Sequence, residues 1–242
     1  MLGAKFFFAC LILLMIFSSS AMSQQDEFLT GYWSFDEDPK DAVIDQSGNG
    51  NDGTISGEVN WIEGKFGKAI EFTSGANVLI NDSDTLRDME AYTIAMWIKM
   101  NELSPDWNHL FEKDGSYGIT INSGGGDFRF TPNSGKVWME SGVKVKEGVW
   151  YYITMTAADD NITFYVDAKK EADGNEAIVF NDSPVNIAHG PSYPVNGAFD
   201  EVKMWSIALN ADEIKVAMEG NLAVMPSKDK VASTWAGIKH DF

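Results

Sequence analysis

Cysteine is almost missing from this chain of 242 residues: Cys10, inside the apolar run that opens the sequence, is the only one. No disulfide and no thiolate metal centre can therefore support the rest of the chain. Histidine is nearly as scarce, and His109, His189 and His240 are scattered along the sequence. That scatter, without cysteine, argues against zinc, and without a Gly-x-Ser-x-Gly turn it leaves no nucleophilic triad to assemble. Basic residues number 18 against 36 acidic ones, giving a formal net charge of −18. Such a chain repels a phosphate backbone, which excludes nucleic acid as a natural partner. Glycine motifs that cradle phosphates or dinucleotides are missing too. Beyond the opening run no apolar stretch approaches the about 20 residues of a membrane span, so no membrane insertion of the mature chain is expected.

What the chain does have begins with that opening run. Lys5 precedes an uncharged stretch from Phe6 to Phe17, and Ser18 to Ser23 follow with Ala21 and Ser23 at the small-residue positions of a cleavage site. This is the pattern of a secretory signal peptide over residues 1–23, so the mature protein is expected outside the cell. Cleavage removes Cys10 and Lys5 but no acidic residue. The acidity of the remainder has two readings: solubility of an extracellular protein, or carboxylates gathered around a hard cation such as Ca²⁺.

Strand signals dominate from Phe28 to Trp205, where short β-branched and aromatic runs alternate with Gly, Asn, Asp and Ser clusters. In Thr93 to Lys99, Ile94, Met96 and Ile98 share one face and Thr93, Ala95, Trp97 and Lys99 the other. Both faces are largely apolar, as in a central strand. Val149 to Val166 reads as a hairpin around Asp159-Asp160-Asn161. Further strands are expected at 30–36, 68–72, 77–81, 108–113, 117–122, 127–131, 136–140, 184–188 and 198–205, too many for an immunoglobulin domain of about seven to nine strands. Gly124-Gly125-Gly126 reads as a hairpin turn. One short helix follows, with Asn210 as cap, Glu213 completing a capping box and Gly220 as stop. Residues 221–242 lack a sustained period and read as a tail or clasp.

Three ordered segments resemble the laminin-G-like domains of the concanavalin-A-like jelly-roll superfamily. They are Gly31-Tyr32-Trp33-Ser34-Phe35-Asp36-Glu37 with the loop Asp45 to Gly53, Gly64 to Phe72, and Asn196 to Trp205 with Ala208-Leu209 and the helix. The resemblance spans roughly residues 28–220 and implies an all-β, two-sheet antiparallel jelly-roll sandwich with one short C-terminal helix, in a domain of residues 24–220. It leaves function open among glycan-binding modules, adhesion domains and accessory domains of enzymes. It also implies a structural Ca²⁺ tying the opening segment to the closing strand, with Asp36, Asp45, Ser47, Asn49, Asn51 and Asp200 as its ligands. The residues themselves admit a second reading, turn formers that bond their own backbone. An EF-hand is excluded, because Ser56 stands where a bidentate glutamate is required and strands flank the loop.

Glu171-Ala172-Asp173-Gly174-Asn175-Glu176 matches the Glu-x-Asp-x-x-Glu strand motif of laminarinase-type hydrolases on this fold. Asp173-Gly174-Asn175 reads as a turn that breaks the strand, so the motif is taken as a decoy and no catalytic residue is assigned. His109, in the apolar run Asn108 to Phe111, reads as a satisfied half-buried histidine. A sugar ring needs an aromatic face and polar partners, and the candidates are Trp107, Tyr193 and Trp138, the last near Arg129. Trp33, Trp97, Trp150 and Trp205 are expected in the core. The expected function is a secreted, non-catalytic module binding a glycan. The alternative is a protein-binding adhesion module using Trp235 and Lys239 of the tail, and a β-glucan hydrolase is the remote third.

Overall fold

The computed structural model describes residues 27–37, 42–73, 75–122 and 124–220; the expected leader and the tail with Trp235 and Lys239 lie outside them. Among the described residues the strands are β1 (Leu29–Trp33), β2 (Ala42–Val43), β3 (Gly53–Ser56), β4 (Val59–Glu63), β5 (Lys68–Phe72), β6 (Asn77–Ile80), β7 (Ala91–Glu102) and β8 (Asn108–Lys113). They continue with β9 (Gly118–Ile121), β10 (Asp127–Thr131), β11 (Met139–Lys144), β12 (Trp150–Ala158), β13 (Asn161–Val166), β14 (Lys169–Asn175), β15 (Val185–Ile187) and β16 (Asn196–Trp205). Among the described residues one α-helix, α1 (Ala211–Met218), follows.

These strands form the expected two-sheet antiparallel sandwich. One sheet runs β14-β13-β12-β7-β16-β5-β4, with β1 also on β16; the other runs β11-β10-β9-β8-β15-β6-β3-β2. The alternation in β7 explains how they pack. Ile94, Met96 and Ile98 enter the core between the sheets, while Ala95 and Trp97 join a second apolar cluster on the outer face of the first sheet. Segment 206–209 and α1 cover that cluster with Ile207, Leu209, Ile214 and Ala217, so β7 is apolar on both sides because both are covered. Trp33 and Trp205 are fully buried and Trp97 nearly so, whereas Trp150 is only half-buried.

Local chemistry fixes the junctions. Both turn residues of the hairpin joining β12 and β13, Asp159 and Asp160, have left-handed backbones (φ 50° and 58°), the type I′ geometry that matches strand twist. The side chain of Asn210 accepts from the Asp212 and Glu213 amides, both at 3.0 Å, and Glu213 accepts from the Asn210 amide at 2.7 Å. This capping box starts α1, and Gly220 ends it with φ 81°. In the Gly31-Tyr32-Trp33 segment, a Cβ at Gly31 would lie 2.4 Å from the Trp33 ring, so only glycine lets that indole fold back beneath the strand. The indole nitrogen donates to the Asn51 carbonyl (2.9 Å), pinning the 45–52 loop to β1.

Two expectations need correction. Asp173-Gly174-Asn175 does not form a turn: β14 runs through all three residues, paired with Asn161 to Thr163 of β13. Glycine there leaves room for the Met139 side chain of β11, since a Cβ at 174 would lie 2.0 Å from its sulfur and the methionine would have to shift. Two of the carboxylates of this segment are paired with lysines. Glu171 pairs with Lys169 and Asp173 with Lys170 on a solvated edge, and Glu176 lies beyond the last paired residue. The strand expected at 136–140 is β11 at Met139–Lys144, which leaves Trp138 in the loop before it. Strands β2, β3 and β4 were not separately anticipated; β2 and β3 are short, and Val59–Glu63 is half-exposed with mixed polarity.

Candidate functional site

The six residues expected around calcium fall into two groups with different chemistry. Asp45 is buried, and its carboxylate accepts from the amides of Tyr32, Ser47 and Asn51 (2.9 Å each) and from the Ser47 hydroxyl (2.8 Å). Asn49 and Asn51 donate to the Leu29 and Thr30 carbonyls (2.9 and 2.8 Å). Asp45, Ser47, Asn49 and Asn51 thus spend polar atoms on β1 and on their own loop, as turn formers do, and Asn51 also accepts from the Ser83 hydroxyl and donates to that of Thr85.

Asp36 and Asp200 differ. Strand β16 changes partner at Asp200, since residues 197–199 pair with β5 and 202–205 with β1. The turn at 64–67 reaches the junction. Asp200 Oδ2 accepts from the Lys65 and Phe66 amides (2.7 and 3.0 Å), and Asp36 accepts from the Lys68 amide (2.9 Å). Asp200 is fully buried, yet its Oδ1 has no hydrogen-bond partner. Burial first, with the negative charges of Glu201 and Asp36, pushes this carboxyl up to about 7 despite the two amides. Gly64 and Gly67 leave the space, because a Cβ at either would fall within 2.5 Å of an Asp200 or Asp36 oxygen. An orphaned buried oxygen beside a second carboxylate fits a hard cation; the saturated Asp45 group does not.

The aromatic candidates behave otherwise: Trp107, Trp138 and Tyr193, from three separate segments, line one pocket of about 350 Å³ on the outer face of the second sheet. Its floor comes from an irregularity in β8. His109 pairs with Thr120, Phe111 with Ile119 and Glu112 with Gly118, which leaves Leu110 as an extra residue. In a regular strand, residues 109 and 112 would point to opposite faces; the bulge sends Leu110 and Phe111 into the core and turns both His109 and Glu112 outward. Across the sheet, Ala188 takes a left-handed backbone (φ 56°) after β15, and the chain closes a small loop from His189 to Tyr193. That loop lays the Tyr193 ring on the His109 imidazole, 4.0 Å apart and within 10° of parallel.

Glu112 is the hub. One oxygen contacts His109 Nδ1 and the other accepts from the Ser134 hydroxyl; His189 Nε2 lies 3.6 Å from the first. Burial raises its pKa, but the hydrogen bonds and charges of these neighbours outweigh that and leave it below the usual carboxylate value. The wall is aromatic. Trp138 lies over Gly118, where a Cβ would come within 3.0 Å of its ring, and Trp107 sits 6.5 Å from Trp138. Arg129 stacks 5.0 Å from the Trp107 ring and pairs with Glu140, so it braces the wall from the side. Asp114, Ser134 and Gly135 complete the rim.

This geometry corrects the picture of scattered histidines: His109 and His189, 80 residues apart in sequence, face the same carboxylate. Among the described residues, His109, Glu112 and His189 form the group whose three ligand atoms all lie within 4.8 Å of one another. His109 is satisfied by Glu112, as expected, but it is buried where a half-buried position was expected. Sequence reading missed Glu112, Asp114, Ser134 and His189. The available signal was a histidine and a glutamate three apart in a strand otherwise destined for the core. In the Ser134–Glu112–His109 chain the carboxylate sits in the middle, so the imidazole is not placed to take the serine proton and no nucleophilic relay results.

The laminin-G-like sequence model of the concanavalin A-like lectin/glucanases superfamily matches residues 72–215, more than half of the chain. The chain belongs to that superfamily. Solved structures agree with the laminin-G-like fold. Domain 4 of AbnA, a GH43 extracellular arabinanase from Geobacillus stearothermophilus solved with arabinotriose, superposes with a TM-score of 0.67 at 20% identity, covering 78% of this chain and 98% of that one. The binding domain of Paraclostridial Mosquitocidal Protein 1 gives 0.68 at 15% identity over 81% of this chain. This laminin-G-like chain spans only 53% of that structure, and 33% of a Trypanosoma rangeli sialidase that it matches with a TM-score of 0.64 at 15% identity over 79% of its own length. No curated protein sequence matches it.

Proposed function

We propose that this laminin-G-like chain is a secreted glycan-binding module without catalytic activity, its ligand held in the pocket of Trp107, Trp138 and Tyr193. The observation that carries the reading is the convergence of three aromatic side chains from distant segments over a polar floor. Concave sites of this size, aromatic on the walls with a few fixed polar groups, suit a small ligand, and a sugar presents both an apolar face and hydroxyls. The arabinotriose-bound domain of the same fold lends support, as does the leader at residues 1–23 for secretion. The non-catalytic part rests on Glu112. A glycosidase acid needs a raised pKa, and this carboxylate is lowered with both oxygens engaged. The reading also includes a structural Ca²⁺ at Asp36 and Asp200, supported by the unpartnered oxygen there.

The test is a panel of neutral and acidic polysaccharides, with affinities of wild type, Trp107→Ala and Trp138→Ala. Each variant is expected to weaken binding at least tenfold, about 1.4 kcal/mol. Unchanged affinity in both, or no glycan bound at all, would sink the proposal. Release of reducing ends that disappears in Glu112→Gln would replace it with a hydrolase.

A further inference from the structure

His109, Glu112 and His189 do more than floor a pocket. The three ligand atoms, His109 Nδ1, a Glu112 oxygen and His189 Nε2, come from β8 and from the loop that follows its neighbour β15, and lie within 4.8 Å of one another. Two imidazoles and one carboxylate are the donor set of three-ligand sites for zinc-class ions, which keep their fourth position open. One of the spacings already suits an ion. A tetrahedral ion with bonds of about 2.0–2.1 Å holds its ligand atoms roughly 3.4 Å apart, and His189 Nε2 stands 3.6 Å from the Glu112 oxygen; His109 Nδ1 contacts that oxygen directly, so an ion entering here takes the place of this contact.

Support around the three residues is of the kind a metal site needs. The Ser134 hydroxyl holds the second Glu112 oxygen, and the Tyr193 ring lies flat on His109, so both side chains are fixed in orientation. His189 Nδ1 is buried and makes no hydrogen bond, so this imidazole is oriented by the Glu112 oxygen that faces its Nε2. The fourth direction opens into the pocket of about 350 Å³, wide enough for water or a ligand oxygen. Nitrogen donors set this place apart from the Asp36–Asp200 junction, where the side-chain donors are oxygens; imidazole selects zinc, copper or nickel over Ca²⁺.

We propose that His109, Glu112 and His189 form a binding site for one divalent transition-metal ion of the zinc class, open toward the pocket. The site does not depend on a glycan being bound.

The experiment uses the chain after treatment with a chelator and its removal. Zn²⁺ is titrated calorimetrically, and Co²⁺ is added separately to read the visible absorption of a tetrahedral complex. One saturable Zn²⁺ site per chain is expected, undisturbed by excess Ca²⁺. His189→Ala, at a half-exposed position, is expected to lower Zn²⁺ affinity at least tenfold and to abolish the Co²⁺ bands. Its metal-free melting temperature checks that it folds, and the near-isosteric Glu112→Gln is the second variant. His240 is the third histidine of the chain, and His240→Ala is expected to leave affinity unchanged. No saturable Zn²⁺ binding, or equal affinity in wild type, His189→Ala and Glu112→Gln, would overturn the proposal. Polysaccharide binding measured in chelator on the same samples reports on the glycan reading separately.

Discussion

Asp200→Asn gives the most quantitative access to the junction between β1, β5 and β16. The Asp200 carboxyl is fully buried with one oxygen unpartnered, and its pKa rises from 3.8 to about 7. Such a displacement corresponds to at most roughly 4 kcal/mol between the protonation states. The sign follows from proton counting. Between those two values the folded chain holds a proton that the unfolded chain has released, so stability falls as pH rises through this window. Below about pH 3 both states are protonated and Asp200 contributes no penalty; by about pH 8 the penalty is nearly complete. Urea denaturation of wild type and Asp200→Asn, in chelator from about pH 5 to pH 8, isolates the effect because the other groups cancel in the difference. Wild type is expected to lose about 2–3 kcal/mol relative to the variant across that range. Adding Ca²⁺ is expected to restore wild type at the alkaline end and leave Asp200→Asn unmoved. Parallel pH profiles in chelator would refute the reasoning about burial, and an equal Ca²⁺ response in both proteins would refute the cation.

Other perturbations test neighbouring parts of the structure. Lys203 is fully buried against Glu201 (2.6 Å) and over the Tyr32 ring, and Tyr32 donates to the other Glu201 oxygen (2.8 Å); Lys203→Met strands the glutamate and is expected to cost about 3–5 kcal/mol in chemical denaturation. Asn210→Ala removes the α1 cap and is expected to cost about 1 kcal/mol, seen as a lower urea midpoint with unchanged slope. Gly118→Ala puts a methyl 3.0 Å from the Trp138 ring; the melting temperature is expected to hold or rise while glycan affinity falls, and an unchanged affinity would show that Trp138 does not set the wall.

Much of the fold was legible because its signals are local. The alternation in β7, the polar hairpin after Ala158 and the Asn210 capping box each depend on a few consecutive residues, and each has its expected place. The Gly31-Tyr32-Trp33 segment carried the resemblance for a physical reason, since the indole packs beneath a residue that must lack a side chain. The errors have a common cause. Asp173-Gly174-Asn175 has turn composition, but its glycine answers to Met139 across the sandwich, a contact that local composition does not contain. The aromatic half of the pocket was visible as three isolated candidates. Its polar half was not, because the β8 bulge overrides the period of two and His189 arrives from 80 residues away.

Affinity electrophoresis through gels containing polysaccharide tests the glycan pocket most directly, with Trp138→Ala compared against wild type and against Trp150→Ala, a half-buried tryptophan in the cluster on the other sheet. Wild type and Trp150→Ala are expected to be retarded by at least one polysaccharide, and Trp138→Ala to migrate as in a plain gel. Retardation that survives in Trp138→Ala and is lost in Trp150→Ala would place the binding surface on the other sheet and contradict the account.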